Sequence, residues 1–170
     1  MSSLSNNTEA GRDGLALVLD EAGLVNLAGA LARLLAAGDC VVLRGELGTG
    51  KTTFARALIR TLLADPLHDV PSPTFALRQD YDWPGGSIFH VDLYRIGDPS
   101  ELDELALDEA FETSIAIIEW PEKATDMLPA SRVELSLMEL PDSATRRVVV
   151  CGIGASAAKV AELRSKLVSS

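Results

Sequence analysis

Gly45-Glu46-Leu47-Gly48-Thr49-Gly50-Lys51-Thr52 sets two glycines, a lysine and a hydroxyl at the spacing G-x-x-x-x-G-K-[ST]. Each residue type has a use there. Glycine lets the backbone turn so that successive N–H groups point inward at phosphate oxygens. A helix starting near Lys51 adds the positive end of its dipole. Lys51 is then expected to reach the β and γ phosphates of a nucleotide, the Thr52 hydroxyl to ligate magnesium, and Thr53 to touch the α phosphate. Chance gives such a match in roughly one chain of this length per hundred, so context must separate it from a glycine-rich turn without a ligand.

A nucleotide loop also needs an acid to hold magnesium, directly or through water. That acid belongs at the C-terminal end of a neighbouring buried strand. Glu119 fits, because Ile115-Ala116-Ile117-Ile118 runs straight into it. Asp92, closing Ser87-Ile88-Phe89-His90-Val91, is the second candidate. His90, Asp92 and Tyr94 alternate and so share one strand face. Two readings of that face stay open: a solvent-facing edge, or a functional face with Asp92 beside the attacking water or the metal shell.

These side chains need a frame. Residues 40–45 (CVVLRG) form an apolar run ending in glycine, the pattern of a strand buried on both faces of a parallel sheet. A helix over 51–64 comes after the loop and is stopped by Asp65-Pro66. Upstream, 15–20 (LALVLD) predicts a short strand. Asp20 can cap the next helix, which carries Leu24, Leu27, Leu31 and Leu34 at helical spacing and stops near Gly38. Residues 66–73 hold three prolines and read as a loop. Residues 74–83 and 87–96 are strand-like, and WPGG between them predicts an antiparallel hairpin. The segment 98–113 predicts short helices and 115–120 another buried strand. Residues 132–140 and 146–153 make a second hairpin around PDSA, and 155–168 a last helix. No repeat and no linker interrupts the pattern. The expected fold is α/β: a single P-loop NTPase domain over 14–153, with a mixed sheet of parallel core strands and added antiparallel hairpins, flanked by helices. A flexible N-terminus, 1–13, and a C-terminal helix, 154–170, complete the expectation.

The chain of 170 residues has a net charge of −10, which argues against binding nucleic acid by itself, since that needs a positive footprint. Asp98 to Glu112 holds seven acids and no base, expected to be a solvated helical face or a docking surface for a basic partner. Cys40 and Cys151 lie in apolar runs without metal-ligand spacing, so buried free thiols are expected. No basic-then-apolar leader is present, and the apolar stretch 24–37 is broken by Asn26 and Arg33, so a cytoplasmic location without membrane contact is expected.

Guanine recognition through N-K-x-D has no counterpart here, which favours ATP. A small-molecule kinase clamps phosphates and acceptor with arginines. Between Thr61 and Ser131 only Arg78, Arg95 and Lys123 are basic, a poor lid and a poor acceptor site. The same shortage predicts slow hydrolysis, completed by a partner.

GELGTGKTTFAR, PSPTFAL, HVDLYRI and IIEWPEK, in this order, resemble the TsaE (YjeE) family over about residues 15 to 140. Thr49 stands where the family's loop usually has Ala or Ser, at a position that contributes backbone. The resemblance implies a small Mg2+-dependent ATPase needed for threonylcarbamoyladenosine modification of tRNA, with ATP and Mg2+ as cofactors. It implies docking on a TsaB–TsaD heterodimer, in which TsaD performs the transfer, and contact with tRNA only through that complex. Carried over, Gly45 to Thr53 would be the nucleotide loop, and Ser72, Pro73 and Thr74 a switch-like loop near the γ phosphate. Asp92 would be a catalytic or metal-proximal acid, Glu119 the metal-binding acid and Trp120 a neighbour of the nucleotide, with Tyr94 and Arg95 as lesser candidates. Without the resemblance, SPTF is a proline-rigid loop opening a strand, and Trp120 a core or rim tryptophan. The rival functions are a small-molecule kinase and a nucleotide-dependent scaffold in which hydrolysis is incidental.

Overall fold

The apolar runs become strands of one sheet, in a computed structural model that describes residues 14–169. The expected flexible segment 1–13 lies outside the described residues. The strands are β1 (Leu15–Leu19), β2 (Cys40–Arg44), β3 (Arg78–Trp83), β4 (Gly86–Asp92), β5 (Ser114–Glu119), β6 (Arg132–Glu139) and β7 (Arg146–Ile153). Their order is β1-β7-β6-β2-β5-β4-β3. Parallel pairing links β6, β2, β5 and β4. Antiparallel hairpins extend both sides: β3 on β4, and β7 on β6 with β1 beyond it. This is the expected mixed sheet, with the strand before the glycine loop at its centre.

Alternation along the buried strands sends side chains to two cores. Val41 and Leu43 of β2, Ile115 and Ile117 of β5 and Ile88 of β4 face one core. It is closed by α1 (Glu21–Ala32), α2 (Lys51–Leu62) and α5 (Ala157–Val168). Cys40, Val42, Phe89, Val91 and Ile118 face the other. There α3 (Ser100–Asp103), α4 (Leu107–Thr113) and a 3-10 segment, Pro121–Met127, form the cover. Of the seven acids between 98 and 112, six are exposed and Glu101 is half-buried, while Leu102, Leu105, Leu107 and Ala110 turn inward.

Several boundaries differ from expectation for local reasons. Helix α1 stops at Ala32, so Leu34 falls beyond its last turn and is only half-buried. Helix α2 ends at Leu62, two residues short of the expected 64, and Ala64 takes a positive φ of 54°. Residues 74–77 form a turn instead of a strand: the Leu77 amide donates to Pro73 O at 2.6 Å, and Leu77 has a φ of 64°. The next strand stops at Asp92 instead of running to 96, because Asp92 Oδ1 accepts the Tyr94 amide at 2.9 Å. Tyr94 therefore leaves the face that alternation assigned to it. Both cysteines are free, but only Cys40 is buried, and burial pushes its thiol up to about 12. Cys151 is half-buried on β7, contrary to expectation. No helix among the described residues is long and apolar enough to cross a membrane.

Candidate functional site

The glycine loop leaves the C-terminal end of β2 and enters α2 through Gly50, whose φ is 105°. Helix α1 is capped by the Asp20 carboxylate, which accepts the Gly23 amide at 2.8 Å. Helix α2 has no side-chain cap and no acid in its first turn. Its first amides lack intrahelical acceptors and are left for an anion. Gly45 takes a φ of 142°, and a Cβ there would run into Leu137 O and sit 2.8 Å from Thr49 Oγ1. Gly45→Ala is therefore expected to lose about 1–3 kcal/mol of stability and to splay the loop. Urea unfolding checks the first effect and ADP binding the second; an alanine variant as stable as wild type would contradict the strain.

Lys51 is 4% exposed. Its Nζ donates to Gly45 O at 2.6 Å and to Glu46 O at 2.7 Å. An ammonium has three protons, so two tie it to the loop and one is left for a phosphate. Burial lowers the Lys51 ammonium below the ordinary lysine range, and the charges of Glu119 and Asp92 pull it back up. The Trp120 ring lies 4.3 Å from Nζ and stacks at 4.8 Å, tilted by 45°, on Tyr94. A left-handed backbone at Trp120, φ 58°, turns the ring out of the strand line.

Both acids sit in this place. Asp92 and Glu119 are partners in register on the parallel strands β4 and β5, and they are 4% and 2% exposed. Glu119 Oε2 accepts the Thr52 hydroxyl at 3.0 Å. Asp92 Oδ2 accepts the Thr74 hydroxyl at 3.0 Å, and Thr74 Oγ1 lies 2.7 Å from Ser72 Oγ. Two relays thus meet the cavity. One runs from the loop through Thr52 to Glu119. The other runs from the 72–77 turn through Thr74 to Asp92.

The cavity itself holds about 220 Å³. Leu47, Gly48, Gly50, Lys51, Thr52, Thr53, Thr74, Asp92, Glu119 and Trp120 line it, so ten residues singled out from the sequence converge there. Lys51 is the one cation among them. Arg95 lies elsewhere, its guanidinium 4.6 Å over the ring of Phe75. Arg78 is held by Asp80 at 2.8 Å and by Leu105 O.

Two side chains had no role assigned from sequence. His90 is fully buried on β4, which excludes the solvent-facing edge, and its Nε2 lies 2.7 Å from Glu119 Oε1. The polar alternation with Asp92 was its only sequence signal. Arg146 comes from β7 to the outside of the loop, where a Cβ on Gly50 would lie 2.8 Å from its guanidinium. Nothing local in the sequence connects the two.

The donor set fits magnesium. Thr52 and Glu119 offer adjacent oxygens, and Asp92 stands beside them. Among the described residues, no group of three or more His, Cys, Asp or Glu forms a cage for a metal. A magnesium ion suits such a sparse set, because it keeps waters and takes phosphate oxygens.

A family model described as "Threonylcarbamoyl adenosine biosynthesis protein TsaE" matches residues 18–148. The tRNA threonylcarbamoyladenosine biosynthesis protein TsaE of Rickettsia bellii is 40% identical over 117 residues, 69% of this chain and 81% of that protein. Its namesake in Streptomyces coelicolor is 38% identical over 130 residues, 73% and 86% of the two chains. The crystal structure of Bacillus subtilis YdiB superposes with a TM-score of 0.73 over 90% of this chain and 95% of that one; at 23% identity the likeness bears on the fold. A phosphate-type loop facing two buried acids, and a match that spans both, lead to one conclusion: this chain belongs to the TsaE family.

Proposed function

We propose that the chain binds ATP with magnesium and hydrolyses it slowly, as the ATPase of tRNA threonylcarbamoyladenosine formation, and that it docks on a TsaB–TsaD heterodimer which does the transfer. The observation that carries this reading is the convergence of Lys51, Thr52, Thr74, Asp92 and Glu119 on one cavity at the end of β2.

In this reading the free amides of α2 and the third proton of Lys51 hold the β and γ phosphates. Thr52 and Glu119 hold magnesium, which, when bound, neutralises charge on the transferring phosphoryl group. Asp92, aligned by Thr74 and the Tyr94 amide, orients the attacking water. Trp120 covers Lys51 and keeps bulk water from the phosphates. Thr74, carried on a turn, links the state of the γ phosphate to the surface, as switch segments do.

A cavity with a single cation supports slow intrinsic turnover. An arginine from outside is the usual remedy, which favours a partner that completes the site. The charge of −10 agrees with a protein that meets tRNA only through that partner. Phosphate release from ATP, with and without TsaB–TsaD, tests the proposal. The basal rate is expected to be slow, to vanish with EDTA, and to rise when the heterodimer is added. An equal rate in both cases would mean a self-contained site and would remove the partner from the catalytic step.

A further inference from the structure

We propose that His90 is a positioning residue for Glu119: its imidazole holds the carboxylate where, together with Thr52, it receives the magnesium ion. The inference rests on the magnesium-dependent ATPase reading above and extends it to a residue outside the cavity.

His90 is 0% exposed and does not line the cavity. It pairs in register with Ile117, two residue pairs behind Asp92 and Glu119 and on the same strand face. It therefore lies beneath the floor of the site and cannot touch a nucleotide. Its Nε2 is 2.7 Å from Glu119 Oε1, while Thr52 uses Oε2. The other ring nitrogen, Nδ1, is buried without a hydrogen-bond partner among the described residues. A buried polar atom without a partner is costly and asks for an explanation. A histidine that served only to fill the core would do worse there than an aliphatic residue of similar size. Among the described residues, the one side-chain hydrogen bond His90 makes is to Glu119, and that bond accounts for its place. With Nε2–H donating to the carboxylate, Nδ1 is left as a bare acceptor, which burial penalises less than an orphaned N–H.

A metal entering the site acts differently on the two bonds of Glu119. Thr52 Oγ1 and Glu119 Oε2 would both turn lone pairs to the cation, so the hydrogen bond between them would be strained or given up when it binds. The His90 bond lies on the far oxygen and is untouched. It is then the side-chain contact that keeps the carboxylate from swinging away. Partners that orient ligating groups in this way typically change metal affinity by about 10–100-fold when removed.

The experiment uses the full chain as wild type, His90→Leu and His90→Gln. Binding of a fluorescent ADP analogue is titrated in EDTA and then against rising Mg2+, and thermal unfolding is monitored without nucleotide. His90→Leu is expected to bind the analogue in EDTA as wild type does, but to need on the order of 10–100-fold more Mg2+ for the metal-dependent gain. His90→Gln, whose amide N–H2 can take the place of Nε2–H, is expected to recover most of it. A role in packing alone predicts the reverse: unchanged Mg2+ demand with altered unfolding. If His90→Leu does not fold, His90→Asn replaces it, since its shorter amide stops short of Glu119; equal Mg2+ demand for the Gln and Asn variants would overturn the inference. A wild type whose binding ignores Mg2+ would overturn the ATPase reading itself, and this inference with it.

Discussion

Lys51→Ala is expected to lower kcat/KM for ATP by about 10²–10³-fold, the usual cost of removing one oriented donor from a site of developing negative charge. The reason is local. Among the described residues, Lys51 is the one cation lining the cavity, and its position is set by two short bonds to Gly45 O and Glu46 O. Those bonds fix the direction of the remaining proton before any phosphate arrives, so little reorganisation is needed. Truncation also takes the side-chain donor from Gly45 O, at about 1–3 kcal/mol for an unsatisfied group, whereas Glu46 O keeps the Thr49 hydroxyl. Binding and turnover should therefore fall together. Lys51→Arg should not rescue either, because a planar guanidinium cannot occupy a point between two carbonyls with the Trp120 ring 4.3 Å away. Phosphate release and ADP affinity are the measurements. A Lys51→Ala protein within tenfold of wild type in turnover would mean that the phosphates are held elsewhere.

Glu119→Gln is expected to have the second largest effect and a different signature. The amide keeps the shape of the side chain but loses the charge proposed to face magnesium. Metal-borne charge stabilisation amounts to several kcal/mol, and each 1.36 kcal/mol is about tenfold in rate. Turnover should fall about 10²-fold or more, with nucleotide binding in EDTA retained and unfolding little changed. Asp92→Asn should separate from it. Asp92 is tied to Thr74 and the Tyr94 amide, whereas Glu119 is tied to Thr52, so the Asn variant should keep its response to Mg2+ while losing turnover. If the two variants lost Mg2+ dependence equally, the division of labour proposed for the two acids would be wrong. The Glu119→Gln protein also tests the scaffold alternative. Added to TsaB–TsaD and tRNA, it should fail to support modification if hydrolysis is needed. If it supports modification while cleaving no ATP, nucleotide binding alone does the work.

Much of this was legible in the chain itself. The loop could be read because its chemistry is local: glycines, lysine and threonine act through consecutive backbone and one helix end. The buried strands could be read because an apolar run into Gly45, and another into Glu119, has few other uses. The family resemblance rests on four local stretches of this kind, and it added Thr74 and Trp120 to the list, both of which reach the cavity.

Other features depended on which strands lie side by side. His90 alternates with Asp92 equally well on a solvent-facing edge and on an interior strand under helices. Parallel pairing of β4 with β5 chose the interior, and so gave Glu119 a second partner. Tyr94 departs from the alternating face because a side-chain bond from Asp92, not a change in apolar pattern, ends the strand. Arg146 reaches Gly50 only because β7 pairs with β6, which lies next to β2. Sequence alone determined the groups that can meet a nucleotide, since their spacing is short and their backbone is shared. Tertiary structure decided which acid meets Thr52 and what stands behind it, since those contacts cross between strands far apart in the chain and no periodicity records them.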